Sequence, residues 1–214
     1  MPGAGLLIFD LDGTVADTLP DIAASARFLA EELGCPPPDE AFVRSCIGGG
    51  AGKLVGRILG TDDPARIADA KRLFAEHYNA HAAVRTRLYD GVPEVLEHYA
   101  GRKRLAMATF KSRPAAERIL AHFGIAGCFE RLVTADDCRR TKPDPECVER
   151  ILTALQVRPE DAVLIGDTVT DMDTGRNAGV LTCGVTYGYG SARDIFTRGP
   201  DYLVSRITDI QAIF

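Results

Sequence analysis

The stretch Phe9-Asp10-Leu11-Asp12-Gly13-Thr14 places two carboxylates two residues apart, where the apolar run Leu6–Phe9 ends. Residues two apart in an extended chain point the same way. Charges at the end of a buried strand are costly unless a cation or a reaction needs them there. Gly13 permits a sharp turn, and Thr14 adds a hydroxyl. Asp10 and Asp12 therefore suggest a divalent metal and an aspartate nucleophile at one point. Three other places in the chain supply matching chemistry. Leu105–Ala108 ends in Thr109, followed by Phe110 and Lys111. Lys142-Pro143 lies between a third apolar run and its following helix. Ala162–Ile165 ends in Gly166-Asp167-Thr168, with Asp171 four residues beyond Asp167. Such a set of acids, a hydroxyl and a lysine suits phosphoryl transfer. A phosphate ester repels an incoming anion, and Mg2+, which prefers hard oxygen ligands, neutralises that charge. Asp10 and Asp167 can supply carboxylates. Lys142 can hold a phosphoryl oxygen as a point charge. Thr109 and N–H groups after the strands can donate to the others.

These residues need a scaffold that gathers strand ends. Short apolar runs recur at Leu6–Phe9, Leu105–Ala108, Leu132–Val133, Ala162–Ile165, Leu181–Val185 and Tyr202–Val204, with helical patterns between the later ones. That alternation predicts an α/β fold, a doubly wound, Rossmann-like, mostly parallel sheet. Ligands bind such sheets at the carboxyl ends of the strands. Helices are expected over Pro114–Phe123, from Asp144-Pro145 through Leu155, and from Asp171 to near Gly179. The span 15–87 breaks the rhythm. It reads as helices only, with no convincing strand: one bearing Ile22, Ala26, Leu29 and Leu33, one from Asp39, one over Lys53–Leu59, and a longer one opened by Pro64. The expected division is a core of residues 1–14 and 88–214 with a helical insert, 15–87, placed to cover the reactive strand end. Gly48-Gly49-Gly50 falls in that insert, where backbone can approach a substrate closely. Arg44, Lys53 and Arg57 are its nearest cations for a substrate carboxylate, with solvated helix charges as the alternative.

The 214 residues carry a net charge of −5 without a basic stripe, which argues against nucleic acid as a partner. No stretch approaches the ~20 apolar residues of a membrane span. The six cysteines show neither CxxC nor zinc spacing. They read as reduced thiols of a cytoplasmic protein, in keeping with an N-terminus that lacks a secretory pattern. His77 and His81 share a helix face, but nothing nearby completes a metal site, and two surface histidines are the reading adopted.

The pattern Asp10-x-Asp12-Gly13-Thr14, Thr109, Lys142-Pro143 and Gly166-Asp167-Thr168-x-x-Asp171 resembles the haloacid dehalogenase superfamily. All four of its motifs occur in order. Asp17-Thr18-Leu19-Pro20-Asp21-Ile22, Ile47-Gly48-Gly49-Gly50, Tyr89-Asp90-Gly91-Val92 and Lys142-Pro143-Asp144-Pro145 extend the likeness to its phosphoglycolate phosphatase branch. The resemblance implies Mg2+ as cofactor and a small phosphorylated metabolite, most like 2-phosphoglycolate, as substrate. It makes Asp10 the nucleophile, forming an aspartyl-phosphate, and Asp12 the acid and base. Thr109 and Lys142 would bind the phosphoryl group. Asp10, Asp167 and the Asp12 carbonyl would ligate the metal, with Asp171 holding its water shell or orienting Lys142. The helical insert matches the family's cap. Gly48, Gly49, Lys53, Phe110 and Lys111 are the candidate substrate contacts. One departure is Phe110, where the phosphatase branch often has Asn; the side-chain amide is lost and the backbone N–H kept. Because Asp12 is acidic, carbon–halogen cleavage is not expected. Rival readings are a β-phosphoglucomutase-like mutase, a pyrophosphatase or nucleotidase, and a non-catalytic phosphate-binding protein. The mutase branch tends to carry Glu-Asp at the fourth motif, where this chain has Gly166-Asp167. A Schiff-base role for Lys53 has no charge pattern around it to support it.

Overall fold

A computed structural model describes residues 4–214. The first apolar run forms β1 (Leu6–Phe9), buried throughout. It is the centre of a six-stranded parallel sheet with β4 (Arg104–Ala108), β5 (Arg131–Val133), β6 (Ala162–Gly166), β7 (Leu181–Val185) and β8 (Tyr202–Val204), in the order β5-β4-β1-β6-β7-β8. Every apolar run named from sequence is a strand of this sheet. In β1, Phe9 pairs with Met107 on one side and Ile165 on the other. The residues that follow, Asp10, Thr109 and Gly166-Asp167, therefore come side by side at one edge. The chain moves outward from β1 through β4 to β5, then crosses to β6 on the far side, which makes β1 the switch point where such sheets bind ligands.

Alternate strand residues face two apolar layers. Leu7, Phe9, Leu105, Met107, Val163 and Ile165 join the larger one, with α5 (Val92–Tyr99) and α6 (Arg113–His122). Leu6, Ile8, Ala106, Ala108 and Leu164 join the other, against α7 (Glu146–Leu155). Period-two alternation with both faces apolar explains why these strands read as continuous hydrophobic runs. After β6, α8 (Val169–Asn177) starts at Thr168, whose hydroxyl accepts from the Asp171 N–H. Asp171 is thus the third residue inside the helix and completes a capping box with Thr168; it does not open the helix as the sequence suggested. The last α-helix among the described residues, α9 (Ala192–Thr197), lies between β7 and β8 in the chain.

Residues 15–87 contain α1 (Leu19–Glu32), α2 (Glu40–Arg44), α3 (Gly50–Leu59) and α4 (Pro64–His81), which pack on one another. Asp39 and Asp63 cap α2 and α4 through their carboxylates, and Pro64 occupies the first turn of α4. The expectation of no strand in this span needs correction. Ala16–Asp17 is β2, paired antiparallel with β3 (Arg87–Leu88). This short ladder joins the chain entering the helical segment to the chain leaving it. Its two residues per strand carry no period to read, and its partner is some seventy positions away. Asp21 reinforces the junction. Its carboxylate accepts from the N–H groups of Val84, Arg85 and Thr86 and from the Thr86 hydroxyl, at 2.8–3.0 Å. No helix is long and apolar enough to cross a membrane among the described residues.

Candidate active site

The turn after β1 gives the site its shape. Gly13 has φ +83, and a Cβ there would lie 2.2 Å from Asp167 Oδ2. Only glycine lets the Asp12–Thr14 turn press against that carboxylate. Asp167 is fully buried; its oxygens accept from Thr14 Oγ1 at 3.1 Å and from the Tyr189 N–H at 2.7 Å. Lys142 arrives over a cis peptide bond to Pro143. Its ammonium lies 2.9 Å from Asp10 Oδ1, 2.8 Å from Asp171 Oδ1 and 3.0 Å from the Ala108 carbonyl. Asp10 makes no other side-chain hydrogen bond among the described residues, so its Oδ2 is free. Asp12 is arranged in the same way. Both Lys111 Nζ, at 2.8 Å, and the Thr18 hydroxyl bind its Oδ1, leaving Oδ2 free.

One oxygen from each of Asp10, Asp167 and Asp171 falls within a cluster no wider than 4.8 Å. Among the described residues it is the only such group of potential metal ligands. Burial raises Asp10 well above the usual carboxylate range; Lys142 opposes this, and Asp171, Asp12 and Asp167 add to it. Burial and the charge of Asp171 likewise push Asp167 up to about 7. Burial disfavours the Lys142 ammonium, but Asp10 and Asp171 outweigh it and hold it charged well above the normal lysine range. Asp12 and Tyr78 do the same for Lys111. Four ionised carboxylates would face only two ammonium groups here. A buried all-oxygen donor set with surplus negative charge fits a hard divalent cation.

Asp10, Asp12 and Asp171 open onto a cavity of about 420 Å3. Its far wall is the helical segment: Ile22, Leu54, Phe74 and Tyr78, with the backbone of Gly48-Gly49-Gly50. Gly48 and Gly49 thus line the cavity. Phe110 lines the cavity while packing on the second apolar layer. Lys111 also lines it, but its ammonium is held by Asp12 and, at 2.6 Å, by the Tyr78 hydroxyl. Thr109 is fully buried at the end of β4 and accepts from the Lys111 N–H at 3.2 Å; it lies behind the lining.

The structure does not bring the proposed insert cations into the cavity. Lys53 is exposed and lies along Gly49, outside the lining. Arg57 stacks over Phe42 and donates to Ser45 Oγ, inside the helical segment. Arg44 donates to the carbonyls of Gly188 and Tyr189, tying α2 to the loop after β7. The cation that does line the wall is Lys71, from α4, which sequence reasoning missed. Its spacing from Phe74 and Tyr78 was the available signal, since residues three and seven apart share a helix face. Tyr189 was missed as well. His77 stacks on Phe28 and hydrogen-bonds Ser25 Oγ at 2.9 Å, a packing role rather than a metal site. All six cysteines are free thiols.

A parallel sheet carrying acids at the ends of two adjacent strands, β1 and β6, with a lysine bridging Asp10 and Asp171, defines a class of phosphoryl-transfer hydrolases. A family model described as haloacid dehalogenase-like hydrolase matches residues 7–185, and the chain belongs to that family, in its phosphoglycolate phosphatase-like branch. An N-acetylmuramic acid 6-phosphate phosphatase of Pseudomonas aeruginosa is 36% identical over 186 residues, covering 86% of this chain and 82% of that protein. A phosphoglycolate phosphatase of Vibrio cholerae is 34% identical over 212 residues, covering 95% and 93%. The crystal structure of a predicted phosphoglycolate phosphatase from Haemophilus somnus superposes with a TM-score of 0.91 at 29% identity, covering 98% of this chain and 97% of that one. The protein is a hydrolase of phosphomonoesters.

Proposed function

We propose that the protein is a Mg2+-dependent phosphatase for a small phosphomonoester that also carries a carboxylate, with 2-phosphoglycolate as the reference substrate. What carries this reading is the pairing of Asp10 and Asp12. Each is pinned through one oxygen to a buried lysine, and each leaves the other oxygen free toward the same cavity. Asp10 attacks phosphorus; the bond to the leaving oxygen breaks as Asp12 donates a proton to it. Asp12 then takes a proton from the water that hydrolyses the aspartyl-phosphate, which regenerates Asp10. Lys142 stabilises charge beside Asp10. Asp10, Asp167, Asp171 and the Asp12 carbonyl would hold Mg2+, which when bound neutralises phosphoryl charge. Residues 15–87 act as a cap that opens for substrate and closes to exclude bulk water.

A larger acid is a second reading. A cavity of about 420 Å3 is in the range that encloses a drug-sized ligand, more than a two-carbon acid fills. The Pseudomonas relative is named for N-acetylmuramic acid 6-phosphate. Both substrates present an anion beyond the phosphoryl group, and Lys71 on the cap wall is placed to meet it. Purified protein should release phosphate from para-nitrophenyl phosphate with Mg2+ and not with excess chelator. Asp10→Asn should abolish release while leaving the circular dichroism spectrum unchanged. Turnover in chelator, or substantial activity in Asp10→Asn, would refute the mechanism. Comparing kcat/KM for the two acids decides between the readings.

A further inference from the structure

Tyr189 carries no motif and stands in the loop after β7, yet it touches both the carboxylate cluster and the base of α1. Its N–H donates to Asp167 Oδ2 at 2.7 Å. Its hydroxyl accepts from the N–H groups of Thr18, at 2.6 Å, and Leu19, at 2.9 Å, and donates to Asp17 Oδ1 at 2.8 Å. Its ring packs so closely over the reactive turn that a Cβ on Gly13 would lie 2.8 Å from it.

The start of α1 explains what this hydroxyl accomplishes. Thr18 occupies the N-cap position, where a threonine normally accepts from an exposed N–H of the first turn. Here it makes no such bond, and its backbone has turned to φ −101, ψ −6, away from the extended geometry of a capping residue. The Thr18 hydroxyl instead donates to Asp12 Oδ1. The donor of this hydroxyl is thus committed to an acid six positions earlier. The tyrosine hydroxyl, from 171 residues away, accepts from the N–H groups of the cap residue and of the first helical residue, and so holds the Thr18 backbone in the conformation from which its hydroxyl reaches Asp12. Asp17 Oδ1 reaches the Leu19 N–H only at 3.3 Å, and Tyr189 is also what holds that carboxylate.

We propose that Tyr189 is a positioning residue for Asp12: by holding the N–H groups of Thr18 and Leu19, it fixes the Thr18 backbone so that the Thr18 hydroxyl binds Oδ1 and keeps Oδ2 directed at the leaving oxygen. This rests on the reading of Asp12 as the general acid. Without the tyrosine hydroxyl, the Thr18 and Leu19 N–H groups lose this acceptor, the Thr18 backbone is no longer fixed, and Asp12 loses one of the two groups that orient it.

The test compares an alkyl phosphomonoester, which needs its leaving oxygen protonated, with para-nitrophenyl phosphate, which scarcely does. Tyr189→Phe should lower kcat for the alkyl ester about tenfold, a part of the ~10²–10⁴-fold that a positioned acid contributes, and for the aryl ester by less than about threefold. Thr18→Val, which removes the same bond from the other side, should give the same split, and serves if Tyr189→Phe is poorly folded. The double variant should be no worse than either single one, since both remove one interaction. Asp12→Asn is the control. If it leaves the alkyl-to-aryl ratio unchanged, the acid role of Asp12 falls, and this proposal with it. If Asp12→Asn changes the ratio while Tyr189→Phe and Thr18→Val lower both substrates equally, or neither, Tyr189 does not position Asp12.

Discussion

Replacing Asp21 by Ala is the sharpest test of how the helical segment is held. The carboxylate is 2% exposed and binds four donors: three consecutive N–H groups at Val84, Arg85 and Thr86, and the Thr86 hydroxyl. A hydrogen bond to a charged acceptor contributes about 1.5–3 kcal/mol, and such bonds on one acceptor do not add. Val84 and Arg85 are exposed residues, so water can replace the carboxylate at their N–H groups. Thr86 is fully buried, and its hydroxyl keeps a second partner, the Ala82 carbonyl at 2.9 Å. The orphaned Thr86 N–H then dominates, and the loss should be about 3 kcal/mol. For a chain of this size that lowers Tm by roughly 6–12 °C. Asp21→Asn should fall between, because one acceptor oxygen survives while its amide faces N–H donors. Urea denaturation and calorimetry read the stability; kcat with para-nitrophenyl phosphate well below Tm should stay close to wild type, since Asp21 does not line the cavity. A loss under about 1 kcal/mol in Asp21→Ala would refute the reasoning.

Lys71→Ala should raise KM for phosphoglycolate about fivefold to thirtyfold, the equivalent of losing ~1–2 kcal/mol, and leave KM for para-nitrophenyl phosphate within about twofold; equal effects would remove Lys71 from substrate recognition. Glu146 accepts from the N–H groups of Arg139 and Arg140 and from the Arg150 guanidinium, which hold its carboxyl down to about 2. A depressed folded pKa stabilises above the unfolded value near 4.5 and ceases to do so as pH falls toward about 2. Glu146→Gln should therefore be less stable than wild type at neutral pH, with the gap narrowing over that acid window; a gap independent of pH would exclude this origin.

The sheet and its reactive rim were legible because each rests on a local pattern. Six strands read as apolar runs, and the residue after each run names what stands at the edge. What could not be read depends on partners remote in sequence. Arg44, Lys53 and Arg57 look alike as helix cations. The first binds carbonyls about 145 positions away, the second lies along Gly49, and the third folds onto Phe42. Thr18 reads as an ordinary helix cap, with nothing in the sequence to show that its hydroxyl binds Asp12 and its N–H the Tyr189 hydroxyl. Lys71 is the exception, since the face it shares with Phe74 and Tyr78 was present in the spacing.

The loss of the side-chain amide at Phe110 acquires a different meaning from its neighbour. Phe110 turns to the cavity, while Lys111 turns inward and binds both Asp12 and Tyr78. The polar contact at this rim is thus made one residue later, by a cation shared between the core and the helical segment. Ser112 extends the seam, donating to Asn79 Oδ1 at 2.8 Å. Since Tyr78 and Asn79 both belong to α4, any opening of the proposed cap that moves α4 away removes the tyrosine from Lys111. The ammonium then has Asp12 as its only charged or hydroxyl partner among the described residues. In the proposed mechanism, the position of the cap would therefore set the surroundings of Asp12, the proposed general acid. On α4, Lys71, Phe74 and Tyr78 form one stripe along the cavity wall, so the proposed substrate contact and the partner of Lys111 share one helix face.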